Sequence, residues 1–188
     1  MTTRFFLVAP EAVAENLLLQ CAGAACAAGD CATIVVPPTL SQETVSALQA
    51  LNLAVILNDA EPRKVHHLKA DGLQLSSIEN FVEARKALPH EALGFFAGVS
   101  RHAAMEAAEA GADYVAFSQT KQYTGEPIIA WWQEVTDLPA VAIDPVTPPM
   151  LTILLPQKPD FLRPSTEMWQ DASMATTIIA ALAAGLNK

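Results

Sequence analysis

Short apolar runs alternate with longer segments of mixed character along almost the whole chain, and this alternation predicts strands and helices in turn. The apolar runs are mostly continuous, which is typical of parallel strands that are covered on both faces. The runs predict eight strands, at Arg4–Ala9, Ala32–Val36, Ala54–Asn58, Gly72–Leu75, Gly94–Val99, Asp113–Phe117, Ala140–Ile143 and Asp160–Leu162. The intervening segments predict helices at Pro10–Gly29, Ser41–Asn52, Pro62–Ala70, Ser77–Leu88, Arg101–Gly111, Gly125–Asp137 and Thr166–Leu186, with a weak one near Pro149–Leu155.

Eight strand–helix units without a linker predict an α/β fold, a compact (β/α)8 TIM barrel that residues 1–188 form as a single domain. Residues that commonly begin or end helices support the boundaries, with Ser41 and Pro62 at first turns and Gly111 after a last turn. The alternative is a doubly wound open sheet of five or six strands. That fold is disfavoured because no Gly-rich phosphate loop follows the first strand.

The composition is that of a folded protein, with 52% hydrophobic and 16% charged residues among 188. No apolar run reaches the roughly 18 residues that span a bilayer, and the N-terminus lacks the features of a secretory signal, so we expect a cytoplasmic protein. The net charge of −9 argues against nucleic acid and against anionic membranes, which both require a concentrated basic surface.

Three cysteines, Cys21, Cys26 and Cys31, follow one another at intervals of five. This spacing gives no tight pair for a zinc site and does not place the thiols on one helical face. We interpret them as small buried apolar residues. The Ala-rich last helix is expected to pack on the barrel within one chain, and a homo-oligomer through the same helix is the second alternative.

Polar residues follow several predicted strands at the end where a parallel barrel carries its chemistry. Asn58 and Asp59 follow the third strand, Glu79 lies shortly after the fourth, and Ser100 and His102 follow the fifth. In a barrel these ends meet at one mouth, which predicts a small-molecule ligand there. Each residue also has a structural alternative, because Asn-Asp is common in turns and Ser is a common helix cap.

The segments "AVILND", "ADGLQLSSIENFVEARKAL", "GVSRHAAMEAAEAGADYVAFSQTK" and "LPAVAI" follow one another in this order. Together they resemble the thiamine phosphate synthase/TenI superfamily of (β/α)8 barrels. The resemblance is clear over residues 50 to 145 and rests on strand order elsewhere. It implies a role in thiamine biosynthesis, in which the synthase joins an aminopyrimidine pyrophosphate to a thiazole phosphate, with magnesium, and releases pyrophosphate.

The resemblance also implies roles for individual residues. Asn58 matches the asparagine on the pyrophosphate side, and Asp59 and Glu79 match the two magnesium-binding carboxylates. Ser100 matches the serine of the fifth strand, and Lys121 matches the lysine that ends the sixth loop. These matches imply a transferase with Mg²⁺ as its cofactor.

The sequence departs from the family at both phosphate sites. Ile34, Val36 and Pro38 stand where the second strand of the synthase carries Gln, Arg and Lys. The seventh strand ends in Asp144 and Pro145 instead of the Gly-Gly whose backbone N–H groups hold the thiazole phosphate. A set of candidate substrate-binding residues after the eighth strand could compensate in part: Arg163, Ser165 and Thr166.

These departures leave the catalytic activity open and allow several hypotheses. The chain is a divergent synthase with impaired activity, or a thiazole tautomerase-like isomerase with His102 as its base. It is otherwise a barrel enzyme of different chemistry that uses Asp59, Glu79, Ser100 and Lys121, or a non-catalytic, oligomer-forming barrel subunit.

Overall fold

The computed structural model describes residues 3–119 and 127–186. Its strands are β1 Arg4–Val8, β2 Cys31–Val36, β3 Ala54–Asn58, β4 Gly72–Leu75, β5 Ala92–Gly98, β6 Tyr114–Phe117, β7 Ala140–Val146 and β8 Phe161–Pro164. Its helices are α1 Glu15–Ala28, α2 Gln42–Gln49, α3 Pro62–Leu68, α4 Ile78–Ala87, α5 Arg101–Glu109, α6 Ile128–Val135, α7 Leu151–Leu154 and α8 Ala172–Leu186. Each strand pairs in parallel with the next, and β1 pairs with β8, so the sheet closes on itself. The predicted (β/α)8 TIM barrel is therefore confirmed.

The first and last helices begin five and six residues later than the sequence predicts. The first starts at Glu15 instead of Pro10. The last starts at Ala172 instead of Thr166, because a short 3-10 turn at Thr166–Trp169 comes first and the Asp171 side chain then accepts the Met174 N–H at 2.8 Å. An aspartate that caps a new helix in this way separates it from the preceding turn. Among the described residues, no helix combines the length and the apolar character needed to cross a membrane.

The buried side chains form two layers, one between the strands and the helices and one inside the ring. Successive residues of a strand point to opposite faces, so neighbouring residues enter different layers. Ile34 and Val36 belong to the outer layer, whereas Val35 between them belongs to the inner layer. The residues that fill the ring are Phe6, Val35, Ile56, Tyr114, Ala116, Val141 and Ile143.

Aspartates just before β4, β6 and β8 form hydrogen bonds at the end of the barrel where the strands begin. Asp71, Asp113 and Asp160 each accept the backbone N–H of a residue in the preceding strand, at 2.7 to 2.8 Å. Asp113 also pairs with Arg85 at 2.9 Å. The N-terminal ends of barrel strands contribute to stability and not to chemistry, and these carboxylates satisfy backbone donors there. The aspartates of "ADG" and "GADY" are thus structural.

None of the three cysteines forms a disulfide. Cys21 and Cys31 are buried and Cys26 is half-buried. Burial raises the pKa of the Cys21 thiol, and a hydrogen bond with the Cys26 thiol, together with burial, raises the pKa of Cys31. Thiols with a raised pKa are poor nucleophiles, in keeping with a packing role for these two residues.

Candidate ligand-binding site at the barrel mouth

The carboxyl ends of the strands surround an open cleft of about 390 Å³. Side chains from β3, β4, β5, β7 and β8 meet in it. The polar and aromatic residues of its lining are Asn58, Asp59, Gln74, Ser76, Phe96, Asp144 and Arg163. The structure therefore brings together three of the residues singled out in the sequence, Asn58, Asp59 and Arg163.

Asp59 is held in a fixed orientation between two strands. Its carboxylate accepts the backbone N–H of Ser76 at 3.0 Å and the Ser76 hydroxyl at 3.2 Å. Its own N–H donates to the Gln74 carbonyl at 2.8 Å, and its backbone is left-handed, with φ of 41°. Left-handed backbone at a residue other than glycine is uncommon and is found at functional sites and turns. These contacts tie the end of β3 to the end of β4.

A second cleft, of about 310 Å³, lies beside the end of β2. Two carboxylates line it, those of Glu11 and Asp59, and its described lining contains no cation. Lys64 of α3 reaches the rim, where its Nζ donates to the Pro38 carbonyl at 3.2 Å. A neutral or acidic cleft of this kind is a poor receptor for pyrophosphate.

The prediction of which β2 residues face the mouth needs correction. Ile34 and Val36 point to the helices, so they do not take the places of mouth-facing Gln and Arg. Val35 points inward, and alternation along the chain puts Pro37 and Thr39 on the mouth side after it. Neither arrangement supplies a cation, so the absence of cationic side chains from this end of β2 is unaffected by the correction.

Asp144, at the end of β7, is engaged with the loop after β6. Its carboxylate accepts the Ser118 hydroxyl at 2.8 Å and the Gln119 backbone N–H at 2.9 Å. The Gln119 side-chain Nε2 donates to the Asp144 carbonyl at 3.0 Å. The Asp144 backbone N–H donates to the Gln119 Oε1 at 3.2 Å. Hydrogen bonds of this kind stabilise the ionised form of a carboxylate.

Among the described residues that line the mouth cleft, Arg163 is the one cation. It is half-buried on β8, and one guanidinium nitrogen donates to the Ile143 carbonyl at 3.2 Å. Burial lowers the pKa of Arg163, and the nearby Asp144 carboxylate opposes that shift. An arginine stays charged in either case, so Arg163 offers its remaining N–H groups to an anion in the cleft.

The other candidate residues lie elsewhere or serve as caps. Ser100 caps α5 by accepting the Ala103 N–H at 3.1 Å, and Ser165 caps the 3-10 turn by accepting the Glu167 N–H at 3.5 Å. The His102 side chain is 85% exposed and lies 3.5 Å from Glu106 on the same helix. Thr166 is exposed, and Lys121 is outside the described residues.

Glu79 lies in the first turn of α4, is exposed, and does not line any of the three clefts that Asp59 lines. Within residues 3–119 and 127–186, no three His, Cys, Asp or Glu side chains come together as a metal site. Mg²⁺ is commonly held by one or two carboxylates together with substrate phosphates and water, and does not require such a cluster. Asp59, next to Asn58 at the mouth, fits that mode of binding.

Two functional candidates, Gln74 and Phe96, were not identified from the sequence. Gln74 is only 6% exposed and accepts the Tyr114 hydroxyl at 3.1 Å inside the ring. Phe96 is 38% exposed although it is aromatic, and it lines the mouth cleft. The signal that could have found them is the polar residue in the apolar run "GLQL" and the position of Phe96 two residues after Gly94.

The comparison of sequences finds three relatives, all named thiamine-phosphate synthase. The Erythrobacter litoralis protein is 38% identical over 143 residues, which cover 69% of this chain and 66% of the relative. The Rhodospirillum centenum protein is 31% identical over 196 residues, with 94% of each chain covered. No protein-family model matches the chain.

The comparison of structures finds barrels of the same fold. Thiamine phosphate pyrophosphorylase from Pyrococcus furiosus superposes with a TM-score of 0.76 at 15% identity, covering 98% of this chain and 95% of that one. A 3-hexulose-6-phosphate synthase superposes with a TM-score of 0.70 at 13% identity, covering 98% of this chain and 99% of that one. At such low identity these superpositions show the fold alone.

Proposed function

Since this chain belongs to the thiamine phosphate synthase/TenI superfamily, whose role is in thiamine biosynthesis, we propose that it is a divergent transferase of the synthase type. It joins the aminopyrimidine and thiazole precursors at the barrel mouth, but much more slowly than a member with both phosphate sites intact. The observation that carries this proposal is the charge distribution of the mouth. Asn58 and Asp59 line both described clefts, whereas Arg163 is the cation of the mouth cleft and no cation is among the described lining residues of the cleft beside β2.

In the proposed reaction, the bond between the pyrimidine methylene carbon and the pyrophosphate oxygen breaks, and a bond from that carbon to the thiazole nitrogen forms. The departing pyrophosphate takes the electron pair of the broken bond. A bound magnesium ion would stabilise the charge of that leaving group. Asp59 is the residue that we propose for the ion, because its carboxylate is fixed at the mouth by Ser76.

Arg163 is proposed to bind the phosphate of the thiazole precursor. Arg163 lies on β8 beside Asp144. Asp144 is on β7, at the position where the family has Gly-Gly. A guanidinium supplies several N–H donors, so it can replace the backbone N–H that Pro145 lacks. The Asp144 carboxylate next to it weakens this attraction, which predicts low affinity for the phosphorylated thiazole.

The expected loss of kcat/KM follows from the cationic contacts that are missing at β2. Hydrogen bonds to charged groups contribute roughly 1.5–3 kcal/mol each. Two missing cations therefore cost about 3–6 kcal/mol, which corresponds to roughly 10²- to 10⁴-fold in kcat/KM.

The test is to incubate the purified protein with both phosphorylated precursors and magnesium, and to measure thiamine phosphate against the Rhodospirillum centenum relative. We expect product at a kcat/KM that is lower by about 10²- to 10⁴-fold. No product at stoichiometric enzyme would refute the synthase assignment, and a kcat/KM within tenfold of the relative would refute the charge argument.

A matched pair of arginine variants tests the anion site. Arg163→Gln should raise the KM for the thiazole phosphate more than that for the aminopyrimidine pyrophosphate. Arg63→Gln is the control, because Arg63 is an exposed arginine of α3 that pairs with Glu61. Equal effects of the two substitutions would contradict the role of Arg163.

A further inference from the structure

We propose that a second copy of this chain docks on the outside of the barrel, on the face formed by α7 and α8, and that the two copies make a two-fold symmetric dimer. This α7/α8 face includes the 3-10 turns that flank α7, at Pro148–Met150 and Leu155–Gln157. In the dimer, Ile153 of each copy occupies a groove between α7 and α8 of the other. The face lies away from the barrel mouth, so the dimer does not depend on the function proposed there.

The groove between α7 and α8 is open and has a volume of about 570 Å³. Leu151 and Leu155 contribute to one wall, and Ala181 and Ala184 contribute to the other. Both alanines are exposed, so the groove opens to solvent. Gly185 allows the two helices to approach closely, because a Cβ atom there would lie 2.4 Å from the Leu151 Cδ1. A contiguous exposed apolar surface of this kind marks an interaction site.

The α7/α8 face carries no charged side chain. Residues 145–157 and 172–186 contain no Asp, Glu, Lys or Arg, whereas charged residues make up 16% of the chain. Each helix from α1 to α6 has at least one charged residue. A surface helix normally presents charged and polar residues on the side that faces water. The lack of charge on both α7 and α8 therefore indicates a face that is covered by another molecule.

The charge of the whole chain indicates which molecule covers this face. With a net charge of −9, two copies repel each other through most of their surfaces. A two-fold contact places the same patch against itself, so a charged patch would meet its own charge. The α7/α8 face avoids that repulsion. The net charge disfavours an anionic membrane as the occupant, and a basic partner would be attracted to the acidic surfaces instead.

Ile153 supplies a side chain that can fill the groove of the other copy. It is 70% exposed, which is the highest value among the large apolar residues that the structure describes. It belongs to α7 but does not line the groove of its own chain. Its side chain and the groove can therefore contact the partner at the same time. A two-fold axis makes this contact twice, and burial of an isoleucine side chain favours association.

The size of the face predicts a weak dimer. The 15 residues of α8 make a helix about 22 Å long. Two adjacent helices are roughly 20–24 Å across, so the face covers roughly 500 Å² on each copy. A standard interface buries about 800 Å² on each partner, and smaller ones belong to transient complexes. We therefore expect a Kd in the micromolar range.

Sedimentation velocity of the full-length protein between about 1 and 500 µM measures this equilibrium. Ile153→Glu and Ala184→Lys should each weaken the dimer by at least about 100-fold, because each places an unpaired charge in an apolar contact. Val82→Glu is the matched control, because Val82 is 39% exposed on α4, across the ring from α8. It should leave the Kd within about threefold of wild type. Circular dichroism and the Tm of each variant report whether it is folded.

Mixing the two variants tests which surfaces meet. In a mixed dimer, the new carboxylate at position 153 lies beside the new ammonium group at position 184, and the second contact of the dimer is wild type. Opposite charges across an interface attract. The mixture of Ile153→Glu with Ala184→Lys should therefore associate within about tenfold of wild type, although neither variant does so alone.

Several results would refute the dimer. One is a wild-type protein that stays monomeric at about 500 µM, well above a micromolar Kd. A second is a dimer that Ile153→Glu weakens no more than Val82→Glu does, and a third is a variant mixture that remains monomeric. Binding of a monomeric wild type to phosphatidylcholine vesicles, abolished by Ile153→Glu, would assign the face to a membrane and would also refute the dimer.

Discussion

Gly94 determines whether Tyr114 can occupy the inside of the ring. A Cβ atom at position 94 would lie 1.9 Å from the Tyr114 Cζ and 2.3 Å from its hydroxyl oxygen. Both distances are far below van der Waals contact, so Gly94→Ala would force the tyrosine ring to move. The ring has little room to do so, because it packs edge-on against Phe6 with centroids 5.4 Å apart.

The cost of Gly94→Ala can be estimated from three effects. Overpacking a core typically costs about 1–3 kcal/mol. Loss of the hydrogen bond between Tyr114 and Gln74 leaves buried polar groups unpaired, at about 1–3 kcal/mol. Replacing glycine stabilises by about 0.4–1 kcal/mol through the unfolded state. We therefore expect the free energy of unfolding to fall by about 1–5 kcal/mol.

Urea unfolding, followed by tryptophan fluorescence, measures this difference. Gly23→Ala is the matched control, because Gly23 lies inside α1 and a Cβ there meets no atom within 4 Å. It should stabilise the protein slightly, as expected for alanine in a helix. If Gly94→Ala changed the free energy of unfolding by less than about 0.5 kcal/mol, Tyr114 would not lie across β5.

Glu15→Gln should lower the free energy of unfolding by about 1 kcal/mol at neutral pH. The Ser41 and Thr44 hydroxyls lower the pKa of this carboxyl, so its contribution is present above its ordinary pKa of 4.5 and is lost as the pH falls below it. A difference between variant and wild type that did not shrink in acid would contradict this. Thr39→Lys should raise affinity for inorganic pyrophosphate in calorimetry, whereas Thr39→Met should not; equal affinities would show that this cleft does not receive the anion. Asp113→Ala should lower the free energy of unfolding in urea by about 2–3 kcal/mol, because the Leu93 N–H loses its acceptor, while the exposed Asp137→Ala should have little effect; equal losses would be the contrary result.

The positions of Asn58 and Asp59 show how far sequence reasoning reaches into the site. They could be placed at the mouth because the carboxyl ends of parallel strands share one rim, and both line the cleft. Glu79 shows its limit, because the direction of a helical side chain depends on how the helix packs on the barrel. Gln74 and Phe96 emerged only once the inward face of each strand was known.

The sequence by itself determined the number and order of the strands, since apolar runs and helix boundaries are local properties of the chain. It did not determine which residues of each run face the inside. Both faces of a barrel strand are apolar, so a run such as "ATIVV" has no alternation to read, and a shift of one residue exchanges the two faces. Only the closed ring, with Val35 inside and Ile34 and Val36 outside, decided that question.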